Sequence, residues 1–232
     1  MERFLESTPL LNFSDKLIQE LIYQRQWKTK DNFKKILEIY NFVRDEIKFG
    51  YNVDDIISAS KVLMDGYGQC NTKGTLFMAL LRAVEIPCRL HGFTINKKLQ
   101  KGTMTGIVYL LAPQNVVHTW VEVYFEEKWY NLEGFIVDRF YLNQLQNKFK
   151  DCDGSFCGYG VAVLNFKNPT IDWNVNNTYI QKEGINQDFG IYDNPDIFFA
   201  EHSQSLSPIK KLVYQNLGRH LMNHNVNKLR GQ

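Results

Sequence analysis

The chain has 232 residues, a formal net charge of +2 and 14% aromatic residues, a length and composition suited to one large packed domain or one domain with an elaboration. The near-neutral charge gives no reason to expect nucleic acid or a membrane as the main partner. Four cysteines are too few for a disulfide framework, and no stretch reaches the roughly 20 apolar residues needed to cross a bilayer. The first residues also lack the basic end and apolar run of a signal peptide, so a cytoplasmic location is expected.

The N-terminal part reads as helical. Leu17, Ile18, Leu21 and Ile22 make one apolar stripe behind Ser14 as N-cap, and Phe33, Ile36, Tyr40, Val43 and Ile47 make a stronger one behind Asp31. Lys48 to Tyr51 breaks the pattern, and Ser58 opens a short helix through Met64. Next comes Asp65-Gly66-Tyr67-Gly68-Gln69-Cys70-Asn71-Thr72-Lys73-Gly74, where Gly66 and Gly68 permit positive φ angles and close backbone approach. Phe77, Leu80, Leu81 and Val84 then recur at i, i+3, i+4 and i+7, which predicts a helix. Cys70 falls at its first turn, where unpaired N–H groups and the helix dipole favour a thiolate. A lone cysteine there is more often a small core residue, and only the histidine and the acid further along the chain reverse that preference.

Pro87 ends the helix, and alternation over Cys88 to Phe93 predicts a strand. Lys97 to Gly102 is a basic surface excursion, and Gly106 to Leu111 reads as a buried strand. Val116 to Phe125 alternates so that His118, Trp120, Glu122 and Tyr124 share a face. Glu126-Glu127-Lys128 turns the chain into a further strand, Trp129 to Gly134. In an antiparallel hairpin the start of the first strand and the end of the second lie side by side, which brings His118 and Glu133 within hydrogen-bonding reach. Cys70, His118 and Glu133 are then a nucleophile, its base and the acid that orients the base.

Gly66-Tyr67-Gly68-Gln69-Cys70, followed by the run Leu80 to Arg89, resembles the cysteine segment of the transglutaminase-like superfamily. His118-Thr119-Trp120-Val121-Glu122-Val123 resembles its histidine strand, and Trp129-Tyr130-Asn131-Leu132-Glu133 its acid strand. The resemblance spans Ser58 to Glu133 and implies an α+β, papain-like fold: helices packed on an antiparallel sheet, with a Cys-His-Asp triad. Two positions depart from the family. Glu133 stands where the acid is normally Asp, and Asn71 stands where animal transglutaminases follow the cysteine with tryptophan. The second departure argues against glutamine–lysine crosslinking and for hydrolysis.

Asp138 to Phe149 predicts a helix, and Asp138 is the alternative acid for the triad. Cys152 and Cys157 have a spacing that a disulfide or metal could use, without a second ligand pair nearby; His220 and His224, at i and i+4, read as solvated or packed. Residues 161–200 suggest strands and loops that extend the sheet or wall the cleft. Ser207-Pro208 is a strong start for a basic C-terminal helix carrying Leu212, Val213, Leu217, Leu221 and Val226. The expected organisation is an N-terminal helical part over residues 1–57, a catalytic core over 58–137 and a C-terminal extension over 138–232. The expected function is a cysteine enzyme acting on an acyl or amide group of a peptide or protein, with no cofactor or metal. A noncatalytic binding module that keeps the fold is the alternative.

Overall fold

A computed structural model describes residues 1–203 and 207–231. Helix α1 (Lys16–Arg25) is capped by Asp15, which accepts from the Leu17 N–H, one residue later than the expected Ser14. Helix α2 (Asn32–Asp45) starts where Asp31 accepts from the Lys34 N–H, and it buries Ile36, Tyr40 and Val43. A parallel pair of two-residue strands, β1 (Lys48–Phe49) and β2 (Tyr67–Gly68), brackets α3 (Ala59–Asp65).

Helix α4 (Cys70–Ala83) is the centre of the molecule: all 14 of its residues are buried. The i, i+3, i+4 pattern marks only its most apolar stripe. Its remaining sides are covered by α2, α3 and the sheet, so even Thr72, Lys73 and Thr75 lie inside. The two loop glycines before it divide their work. Gly66 has φ +71° and ends α3 in the left-handed conformation, whereas a Cβ on Gly68 would come within 2.6 Å of Thr72 Oγ1.

The main sheet has the order β5-β4-β3-β8, from β3 (Cys88–Asn96), β4 (Asn115–Phe125), β5 (Lys128–Leu132) and β8 (Ile185–Tyr192), all antiparallel. The expected hairpin is β4–β5, with Val121 opposite Leu132 and Phe125 opposite Lys128; its turn residues Glu126 and Glu127 both have positive φ. Strand β8 extends the sheet on the far side of β3, and a small hairpin of β6 (Phe156–Gly158) and β7 (Val161–Val163) lies apart from it. This is the expected α+β architecture.

One element differs in kind. Gly106–Leu111 is a helix, α5, with no buried residue, rather than a buried strand. Thr105 is its N-cap and Gly106 takes φ +54°, so the backbone turns before the apolar run and a strand cannot continue. Helix α6 (Arg139–Lys148) is capped by Asp138, and α7 (Pro195–Glu201) by Asn194. The C-terminal helix starts at Ser207 as expected: α8 (Pro208–Val213), a π-helical turn (Tyr214–Gly218) and α9 (Arg219–Arg230) follow one another without a break. Its apolar residues do not all pack. Val226 and Met222 are buried, but Leu212, Val213, Leu217 and Leu221 are exposed. Among the described residues no helix is long and apolar enough to cross a membrane.

Lys73 places a fully buried amine on α4, with Nζ donating to the Arg44 carbonyl at 3.1 Å. Burial, only partly offset by Asp138 and Asp45, lowers its pKa to about 7. The unfolded chain therefore binds more protons than the folded one between that value and the ordinary 10.5, and stability from this group rises with pH across the window. Lys73→Met should stabilise the protein by about 2 kcal/mol at pH 6, and the gain should shrink towards pH 10. Denaturant titrations of both proteins at several pH values would measure this; a gain independent of pH would show that the ammonium is not the cause.

Candidate active site

Cys70 is the first residue of α4, so helix geometry leaves its N–H without an intrahelical acceptor. The loop before it is tied down on both sides. Thr72 Oγ1 accepts from the Gln69 N–H at 3.1 Å and donates to Asn52 Oδ1 at 2.7 Å. The Gln69 amide accepts from the Asn52 N–H and donates to Asp55, both at 2.9 Å. Burial raises the Asp55 pKa, against the hydrogen bonds from Gln69 and Asn71.

Asn71 joins the helix start to β4. Its Nδ2 donates to the Val117 carbonyl at 3.2 Å, and its Oδ1 accepts from Thr119 Oγ1 at 3.1 Å and from Cys70 Sγ at 3.6 Å. Val117 and Thr119 flank His118, so this one amide fixes the cysteine end of α4 against the histidine strand. Tryptophan, with one N–H donor and no acceptor, could not bridge both neighbours in this way.

His118 is completely buried, and its Nε2 lies 2.8 Å from Glu133 Oε1. Its Nδ1 has no hydrogen bond of good geometry among the described residues. Burial alone would lower the His118 pKa, but the charge of Cys70 and a hydrogen bond to its thiol, and then Glu133, push it up to about 10. The three side chains singled out in the sequence are thus brought together, with Glu133 on Nε2 and Cys70 near enough to raise the pKa of the ring.

The second oxygen of Glu133 shows how the longer acid is accommodated. Oε2 accepts three successive backbone N–H groups, from Ile180 at 2.8 Å, Gln181 at 2.9 Å and Lys182 at 3.1 Å. Three donors converging on one carboxylate oxygen make a fixed anion cradle. Thr178 supports it from behind: its carbonyl accepts from the Glu133 N–H, and its Oγ1 accepts from Gly134 N and Tyr40 Oη. Nothing in residues 178–182 announces this role, since backbone donors carry no residue signature.

Asp138 lies elsewhere. Its Oδ1 caps α6 through the Tyr141 N–H at 2.8 Å, and its Oδ2 takes the Phe49 N–H at 2.9 Å and the Arg230 guanidinium. Both partners of that ion pair are buried. Cys88, Cys152 and Cys157 are free thiols, His220 and His224 are exposed, and among the described residues no cluster of His, Cys, Asp or Glu could hold a metal.

Residues 21–134 match the model of the transglutaminase-like superfamily. The match covers just under half of the chain, and it is a similarity of this segment. The segment contains α2, α4, the hairpin and all three of Cys70, His118 and Glu133, so the matched segment and the site coincide. Two solved structures are similar to the chain. One is a candidate cysteine protease from Cytophaga hutchinsonii, at 16% identity and TM-score 0.47, covering 84% of this chain and 47% of that one. The other is red sea bream transglutaminase, at 15% identity and TM-score 0.31, covering 57% of this chain and 25% of that one. The chain therefore spans about half the length of the first and a quarter of the second. No curated protein matches the chain in sequence.

Proposed function

We propose that the chain is a transglutaminase-like cysteine enzyme that cleaves an acyl or amide bond of a peptide or protein through a thioester on Cys70. The observation that carries this reading is the buried chain from Cys70 through His118 to Glu133, with Nε2 of the ring held 2.8 Å from the carboxylate. His118 takes the proton of the Cys70 thiol. Sγ attacks the carbonyl carbon, and the negative charge passes to the carbonyl oxygen. The unpaired N–H of Cys70 at the start of α4 is aimed to stabilise it. Collapse breaks the bond to the leaving amine, which takes the proton from His118. His118 then removes a proton from water, hydroxide adds to the thioester, and the acid leaves as the thiol is restored. Glu133, fixed by its cradle, keeps Nε2 protonated, so that Nδ1 is the nitrogen that exchanges protons with substrate.

Brief alkylation with iodoacetamide near pH 6, followed by mass mapping, tests the nucleophile. Cys70 should be labelled first. Burial raises the pKa of Cys88 and, despite its exposure, of Cys157, which leaves both as unreactive thiols at that pH. Preferential labelling of Cys88, Cys152 or Cys157 would remove Cys70 from the role.

We further propose that water outcompetes amines as the acceptor. Asn71 is committed to β4, and no tryptophan stands beside the cysteine to wall off water. Incubation with a glutamine-bearing protein and a labelled primary amine should release ammonia with little label incorporated. Efficient incorporation would assign the enzyme to acyl transfer.

A further inference from the structure

Apolar side chains fail to pack on two neighbouring elements. Ile107, Leu110 and Leu111 on α5, and Ile209, Leu212 and Leu217 on α8 and the π-helical turn, all project into solvent, with Leu110 at 75% and Ile209 at 76% exposure. The two elements adjoin. A Cβ on Gly218 would sit 3.8 Å from Val108, and Asn225 of α9 donates to Thr105 Oγ1, the N-cap of α5, at 3.3 Å. Soluble surfaces rarely gather this many large apolar side chains without a partner.

The two stretches that build these elements are one-sided in charge, although Asp54 from another part of the chain reaches Lys211. Residues 97–111 and 207–231 contain no Asp or Glu, but hold eight Lys and Arg. Some are committed: Lys211 pairs with Asp54, Arg230 with Asp138, and Lys97 donates to the Tyr109 and Ala112 carbonyls. Lys98, Lys101, Lys210 and Lys228 are exposed and have no ion-pair partner among the described residues. Lys101 lines a cavity of about 420 Å³ together with Gly106 and Tyr109, which puts it at the foot of α5.

We propose that α5 and the α8–α9 helix form a docking face for an anionic lipid surface. Protruding side chains on short helices, rather than a groove, suit insertion among acyl chains, and unpaired lysines around them suit acidic headgroups. A net charge of +2 concealed this, because acids elsewhere in the chain balance the bases of these two stretches. The face adjoins the cysteine loop: Tyr214 Oη donates to the Asn52 carbonyl at 3.0 Å, and Asn52 in turn holds Gln69.

The test is sedimentation of the full chain, as Cys70→Ala so that binding is read apart from turnover. One set of vesicles is phosphatidylcholine alone, and the other contains about 30% phosphatidylserine. The protein should sediment with the anionic vesicles only and be released at about 0.5 M salt. Leu110→Ser with Leu212→Ser should weaken binding by about tenfold or more. Lys210→Glu with Lys228→Glu, which removes no packed atom, should weaken it by at least about 20-fold. No binding to either vesicle, equal binding to both, or binding unchanged in both double variants would overturn the proposal. So would self-association abolished by Leu110→Ser, which would make the face an interface between two copies.

Discussion

Glu133→Gln should lower turnover by about 10²- to 10⁴-fold. The glutamine has one oxygen where the glutamate has two, and both are in use. Its carbonyl is drawn to the three N–H groups of Ile180, Gln181 and Lys182, because the opposite orientation would set an NH₂ against three donors. The NH₂ then faces His118 Nε2, which must accept rather than donate. The ring proton moves to Nδ1, the nitrogen proposed to serve Cys70, so the base is held in the wrong tautomer. Loss of charge from the cradle should also cost about 1–3 kcal/mol of stability. Kinetics and denaturant titration of the variant measure both effects. Should Glu133→Gln leave turnover intact while Cys70→Ala abolishes it, the site would act as a Cys-His pair.

Asp138→Asn should do the converse, with a large loss of stability and little change in turnover per folded molecule. Removing the carboxylate leaves the Arg230 guanidinium buried beside an amide, and it weakens the cap of α6 and the bond to Phe49 N. Breaking a buried pair from one side costs about 3–5 kcal/mol. For a chain of this size that lowers Tm by roughly 6–20 °C. Asp138 touches neither His118 nor Cys70, so activity corrected for folded fraction should stay within a few-fold of wild type. A stable but inactive Asp138→Asn would hand the third role back to Asp138.

These two acids mark where sequence reading stops. Both stand near the end of the hairpin, and spacing alone left them as alternatives. Hairpin register favoured Glu133, since residues at the open end of a β4–β5 pair must lie beside each other. What Asp138 does was illegible, because its partner Arg230 is 92 residues away in sequence.

The sequence by itself determined the local chemistry. The glycine loop ending at Cys70, the helix behind it, the alternating histidine strand and the Asp31 cap are governed by residues within a turn or two of one another, and such patterns are written in order along the chain. Only the tertiary structure decided the rest. The backbone cradle that lets a glutamate replace an aspartate comes from a segment almost 50 residues away, with no side-chain signature. The run Ile107 to Leu111 has the composition of a buried strand, but it lies outside the sheet as an exposed helix, because apolar composition states a preference for burial and cannot say whether a neighbour is there to provide it. The same holds for charge. Composition sums to +2, whereas folding sets Thr105 of the acid-free stretch 97–111 beside Asn225 of the equally acid-free stretch 207–231, a placement that no sum of charges shows.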